Sequence, residues 1–422
     1  MGFDVGTEWI SYWLTQFAAI AQYLRLSFWP HPLVFEYGAV VEHSLTDVWW
    51  QAIVVLALLG LTLWALIRKP RSGFLGVWFF AVLAPTSIVP AQMQTIAEHR
   101  VYLALAPLIV LVVAGAVVWL GRRALPVLFV AAAAAAFLTA QRNEAYASEL
   151  SIWTDTVARR PANATAHVNL GMALLTANRL PEAAWHFEQA VRRQPESAVA
   201  HANLADASFR LGQYETAREH GEAAVRLDPG NVNARINLGL ALAALGRAAD
   251  AVSQFEEALR LQPLAADTHS HLAAALRDLG RIGPAIEHYE AALRIDPDDA
   301  KTWCELARVF VQTDDRVAAR RAVEQSLRRK ADSPGALFVL GNLDAADGNL
   351  AAAITGYRRA VELAPDYVAA RNNLANALLV SGRIDEAVAQ YQLILHAQPD
   401  DQNVQENLRR ALELQRTRSA GR

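Results

Sequence analysis

Amides recur through this chain at a fixed interval. Asn169, Asn203 and Asn237 stand 34 positions apart, His271, Glu305 and Val339 continue the row, and Asn373 and Asn407 resume it. A carboxamide donates and accepts together, so such a row can pair with the backbone of an extended peptide of any sequence. Asp206, Asn342, Asn372 and Asn376 fall near it in the same period and join the candidate surface. A plainer reading also stands, in which the position is polar because water reaches it. The break at His271–Val339 leaves either two grooves or one degenerate groove. A second constellation is Glu98-His99-Arg100, set between two apolar runs. A guanidinium matches phosphate oxygens, so Arg100 suits a lipid phosphate, with Glu98 orienting it. As a polar loop at the edge of a membrane span, with Arg100 reaching to the interface, the same residues need no ligand.

Other groups point nowhere. His167, His201 and His269 share one position of the period, but the histidines are otherwise scattered without ligand-type spacing, so no metal is expected. There is no phosphate-cradling glycine loop and no nucleophile elbow, hence no catalytic residue and no cofactor is assigned. Arg320-Arg321 and Arg328-Arg329-Lys330 read as solvated helix faces. A net charge of −3 gives no reason to expect nucleic acid.

The elements that must carry these residues follow from the period itself. Prolines close the units at 161, 195, 229, 263, 297, 365 and 399, with Ala331 in the missing place. Ten residues later a small residue follows leucine each time, from Leu170-Gly171 to Leu374-Ala375. Alanines recur at 183, 217, 251, 285, 319, 353 and 387, and Phe187, Phe255, Tyr289, Tyr357 and Tyr391 fill one aromatic position. Glycines 212, 246, 280, 348 and 382 sit where a first helix must end, and Asp314-Asp315 replaces that turn in the fifth unit. This pattern over residues 164–401 resembles the tetratricopeptide repeat family, whose 34-residue helix–turn–helix units stack into a right-handed superhelix. Seven units follow from it, with 141–163 as a stiff degenerate half-repeat (Trp153, Pro161). Residues 402–415 form a cap helix and 416–422 a disordered tail. The asparagine row resembles the ladder in the repeat superhelix of O-GlcNAc transferase. Packed helices lie about 8–10 Å apart and an extended chain advances about 3.3 Å per residue, so one asparagine would meet every third peptide residue.

Composition divides the chain. Hydrophobic residues make up 53% and mean hydropathy is positive, with the excess in the first third. Residues 1–48 form an outer segment whose 9–28 stretch is amphipathic, interrupted by Thr15, Gln16, Gln22 and Arg25, and is expected to lie in the membrane interface. Four spans are expected over 49–67, 74–90, 101–120 and 125–140, the second kinked by Pro85 and the last shortest. Eight of the eleven tryptophans precede residue 120, in keeping with membrane interfaces. Arg68, Lys69 and Arg71, and then Arg122-Arg123, place two short loops in the cytoplasm and the repeats on the other side of what would be a bacterial inner membrane. Should 125–140 fail to span, the repeats change sides. Cys304 is expected to be buried in the fifth unit.

From about residue 8 onward the order of features is similar to the C-terminal part of a membrane family. These features are Trp29-Pro30, Phe35-Glu36-Tyr37, Ala84-Pro85-Thr86-Ser87 and Glu98-His99-Arg100-Val101-Tyr102-Leu103. That family joins a GT-C glycosyltransferase domain to tetratricopeptide repeats and includes the transmembrane O-mannosyltransferases acting on cadherins. The resemblance implies a polyprenyl-phosphate-linked sugar as donor and repeats that recruit the acceptor. It also implies an acidic residue in a first outer loop, which this sequence lacks. Two functions are therefore carried forward: a membrane-anchored scaffold binding an extended peptide or protein partner, and the C-terminal portion of a lipid-linked-sugar-dependent protein O-glycosyltransferase.

Overall fold

The computed structural model describes residues 9–28, 44–88, 102–144 and 146–420, and all of its regular elements are helical. Glu98, His99 and Arg100 lie outside the described residues, as do Trp29-Pro30 and Phe35-Glu36-Tyr37. Two compact units divide at the closing proline of the second repeat: Met1–Pro229 and Gly230–Arg422.

The first unit opens with α1 (Trp9–Phe28), α2 (Leu45–Arg68), α3 (Pro70–Ile88), α4 (Tyr102–Leu120) and α5 (Ala124–Glu144). Ser44 caps α2 by receiving and returning hydrogen bonds with the first turn through Asp47. Stretches 46–68 and 109–137 are long and apolar enough to cross a membrane. The second passes from α4 into α5 through the tight turn Gly121–Arg123, so one apolar stretch embraces parts of both expected spans. α3 continues through Pro85 to Ile88. Helices α2, α4 and α5 expose Trp64, Ile67, Val118, Trp119 and Phe129, an apolar surface far beyond what a water-facing helix carries. The amphipathic reading of α1 needs correction at Thr15 and Gln16, which are buried along with Leu14, Ala19, Ile20 and Tyr23. α1 packs against α2 and α3, and that contact covers part of its supposed polar face.

α5 ends at Glu144 and α6 (Glu149–Arg159) begins after a turn capped by Ser148, so the apolar helix and the repeats are not one rod. α6 packs on the first repeat, with Leu150, Trp153 and Val157 against a core of Leu170, Leu174 and Phe187. Each repeat is then a first and a second helix: α7 (Ala164–Thr176) and α8 (Leu180–Arg193), α9 (Ala198–Arg210) and α10 (Tyr214–Leu227). In the second unit they are α11 (Val232–Ala244) and α12 (Ala248–Leu261), α13 (Ala266–Asp278) and α14 (Ile282–Ile295), α15 (Ala300–Gln312) and α16 (Arg316–Arg329). There follow α17 (Pro334–Ala346) and α18 (Leu350–Leu363), α19 (Val368–Val380) and α20 (Ile384–Ala397). A last helix, α21 (Gln402–Ala420), runs beyond the expected end at residue 415.

Local chemistry explains these boundaries. Most first helices, and the last helix, start where a short polar side chain accepts a backbone N–H of the first turn: Asn163 from Ala166, Ser197 from Ala200, Asn231 from Ala234, Asp299 from Lys301, and Asp401 from Val404; α13 and α19 begin after Ala265 and Tyr367 without such a bond. First helices end in a left-handed residue with paired closing bonds, as where Asn178 N–H reaches Leu175 O and Arg179 N–H reaches Leu174 O. Glycine fills that position in five repeats, but Asn178 (φ 57°) and Asp314 (φ 55°) adopt it too, the two residue types that tolerate it best. Where the second helix carries an aromatic, the small residue behind leucine packs against it in the first, third and sixth repeats. A Cβ added at Gly171 would lie 2.5 Å from Phe187 Cε1, at Gly239 2.5 Å from Phe255 Cε1, and at Gly341 2.7 Å from Tyr357 Cε1. Cys304 is buried in the fifth repeat, which pushes its thiol pKa up.

Candidate peptide-binding surface

In the second unit, first helices α17 and α19 carry the amides that come together. Asn373 donates from Nδ2 to Asn342 Oδ1 at 2.9 Å, and the same oxygen accepts the Tyr357 hydroxyl at 2.7 Å. One turn along α19, Asn376 Oδ1 accepts the Tyr391 hydroxyl at 2.5 Å. Burial pushes the Tyr357 pKa up to about 12 and raises that of Tyr391, so both phenols stay protonated donors near neutrality. The amides line a cavity of about 340 Å³ with Tyr357, Leu350 and Val380, the last 73% exposed. Asn342 and Asn376 spend their carbonyl oxygens on the core and keep N–H donors, while Asn373 keeps its oxygen. An apolar wall beside amides that both donate and accept suits an extended backbone with one apolar side chain.

The rest of the asparagine row is less gathered. Asn372, on another face of α19, is not among the lining residues, and its Oδ1 is buried without a partner. Asn237 and Asn407 are half-buried on α11 and α21. The positions that break the row do structural work: Glu305 accepts Arg277 at 2.8 Å, Val339 is buried, and His271 stacks 5.8 Å from Phe255 with its pKa lowered by burial and then by Lys301. In the first unit, Asn169 is half-buried on α7, Asn203 has a buried Nδ2 with no partner, and Asp206 pairs with Arg210 at 2.9 Å.

Comparison with known families settles what these pairs are. Residues 164–189, 183–232, 236–300, 276–337 and 344–412 match tetratricopeptide repeats. The chain is a tetratricopeptide repeat protein. Among solved structures it is similar to a chain of the APC/C hetero-tetramer Cut9-Hcn1 (20% identity, TM-score 0.52), covering 62% of this chain and 52% of that one. The repeat protein thus spans about half the length of that relative. It is also similar to YrrB, a TPR protein with an unusual peptide-binding site, with 19% identity, TM-score 0.37, and coverage of 44% of this chain and 95% of that chain. PilF of Pseudomonas aeruginosa is similar at 21% identity and TM-score 0.43, with coverage of 49% and 93% respectively. At these identities the likeness is one of fold alone. No curated protein sequence matches the chain. The matches bear on the repeats and not on a relationship to membrane glycosyltransferases.

The repeat protein also contains a pattern the sequence reading passed over. The histidines are not scattered: each of His167, His201 and His269 has a partner 19 residues on. Their Nδ1 atoms meet those of His186, His220 and His288 at 2.9, 2.9 and 3.0 Å. Each first histidine also places Nε2 3.0–3.1 Å from the carbonyl of its closing proline, Pro161, Pro195 or Pro263. A carbonyl only accepts, so Nε2 carries the hydrogen, Nδ1 accepts, and the second histidine donates. Other repeats use other donors at the same place: Trp303 to Pro297, Arg371 to Pro365 and Gln405 to Pro399. These side chains therefore tie a first helix to the loop before it. The signal was legible as a recurring His–His interval of 19. Among the described residues no three potential ligands gather for a metal ion.

Proposed function

We propose that this protein is a membrane-anchored repeat scaffold that binds an extended peptide or protein segment over the amide-lined face of its first helices. The observation that supports this most directly is the convergence of Asn342, Asn373 and Asn376 beside Val380 in one cavity. Asn342 and Asn376 are held by tyrosine hydroxyls and Asn373 by its bond to Asn342 instead of being left to rotate, so little order has to be imposed on binding. The anchor is read from the two apolar stretches 46–68 and 109–137, and the basic residues Arg68 and Lys69 at the end of the first would hold that end in the cytoplasm and the repeats on the non-cytoplasmic side. Glycosyl transfer is not adopted, because it rests on a resemblance of sequence motifs alone, while the family matches fall on the repeats.

The test is direct binding of the full chain in detergent micelles to an array of extended peptides, followed by titration of the best ligand. Asn373→Ala leaves the tyrosine bonds in place and should weaken that ligand about tenfold with unchanged helicity. Equal affinity in the variant would remove the amide surface from consideration. For the anchor, a phosphatase fused after Pro161 should be active outside the cytoplasm, and an inactive fusion would reverse the orientation.

A further inference from the structure

A second cavity, about 400 Å³, lies between α14, α15 and α16, away from the amide surface. Its floor is Trp303, Leu306 and Phe310, and Ala322 opens one side. The cavity has a cause in the sequence. Residue 322 stands where other repeats carry His186, His220, Gln254, His288 or Gln390, each bonded to the residue 19 places before it. In the fifth repeat the earlier partner is Trp303, which still donates to its proline carbonyl, but the side chain that should cover it is a methyl group. A small residue alone does not leave such a space. At the same position in α18 is Gly356, where an added Cβ would lie 3.2 Å from Leu337 O, so there the helices have closed together.

The rim is charged. α16 carries five arginines and one glutamate. Arg316, Arg320 and Arg329 face aspartates at 3.0, 2.9 and 3.4 Å, and Arg329 also lies over the Trp303 ring at 5.5 Å. Arg321 on α16 and Arg294 on α14 line the mouth, both exposed, against the single acid Glu290. Arg328 continues the Arg321 stripe two turns on. An apolar, aromatic floor under two guanidinium groups is complementary to an apolar side chain flanked by carboxylates.

We propose that this cavity is a docking site for an acidic peptide segment, seating one leucine- or phenylalanine-sized side chain on Trp303 and Phe310 with adjoining carboxylates on Arg294 and Arg321. The site is independent of the amide surface, and either can fail without the other.

The test uses the full chain in detergent micelles and three synthetic dodecapeptides: one phenylalanine flanked by glutamates and aspartates, the same with serine for phenylalanine, and the same with lysines for the acids. The acidic phenylalanine peptide should bind best, and more weakly as salt rises. Ala322→Gln restores the side chain natural to Gln254 and Gln390, and should lower affinity about tenfold by filling the space; Arg294→Glu with Arg321→Glu should do the same by charge. Asn373→Ala should leave this binding unchanged. Equal binding of the acidic and lysine peptides, or of the serine peptide, would overturn the proposal on the unmodified protein. So would unaltered affinity in a folded Ala322→Gln variant, or a concentration-dependent dimer abolished by that substitution, which would make the occupant a second copy.

Discussion

Tyr289 offers a measurement in which the repeat pattern predicts its own flaw. Its side chain is 1% exposed, and its hydroxyl is buried with no hydrogen-bond partner. The equivalent hydroxyls of Tyr357 and Tyr391 donate to Asn342 and Asn376. Where the aromatic is Phe187 or Phe255, the place of that asparagine is taken by Met172 or Leu240, and no acceptor is needed. In the fourth repeat a tyrosine faces Ala274, so a donor is buried without its acceptor. Nearby Arg277 is engaged by Glu305 and Asp278. An unsatisfied buried hydroxyl costs about 1–3 kcal/mol, so Tyr289→Phe should stabilise the second unit by about 1 kcal/mol. Ala274→Asn supplies the acceptor, worth roughly 1 kcal/mol, less about 0.6 kcal/mol of helix propensity. The double variant keeps the propensity loss without the bond, so the cycle should show a coupling of about 1 kcal/mol. Guanidinium unfolding of all four proteins, with hydrogen exchange read on α13 and α14, gives both quantities. A less stable Tyr289→Phe, or additivity within about 0.3 kcal/mol, would refute the reasoning.

Three further outcomes are expected. Gly239→Ala should destabilise by about 1–3 kcal/mol in urea melts, since its Cβ would fall 2.5 Å from the Phe255 ring; Gly335→Ala, 3.4 Å from a flexible Arg308 tip, is the tolerant control. Asp314→Gly should stabilise by roughly 0.5–1 kcal/mol, because φ 55° is free of strain only for glycine and the exposed Arg316 pair it gives up is worth little. Acid should loosen the repeats through the histidine pairs. Burial, and then the neighbouring His167, depress the His186 pKa to about 4, and burial lowers those of His167, His220 and His288. The unfolded chain then binds more protons, so stability falls as pH drops from about 6.5 towards 4. For His186, only half-buried, the screened share is about 1 kcal/mol. His186→Gln should flatten that slope in melts at pH 7 and pH 4.5, and an unchanged slope would show that the pair does not carry it.

The period and the turns were legible because each is written within one repeat, and a left-handed turn residue closes its helix within six residues. The caps Asn163, Ser197 and Asn231 reach only three residues along the chain, yet only the hydrogen bonds of the structure identify them. The fold followed from the resemblance of the 34-residue pattern to the tetratricopeptide repeat. The apolar stretches were legible from composition, but the burial of Thr15 and Gln16 was not, because it depends on where α2 and α3 lie against α1. The same limit applied to the site. A row of asparagines can be counted in a sequence, yet which oxygens are already taken by Tyr357 and Tyr391 is decided by the approach of two helices. The His–His pairs, the orphaned Tyr289 hydroxyl and the cavity left by Ala322 all arise between residues 15 to 19 apart on facing helices. There the backbone sets the distance, and only packing determines whether a side chain finds a partner, a void or another ring.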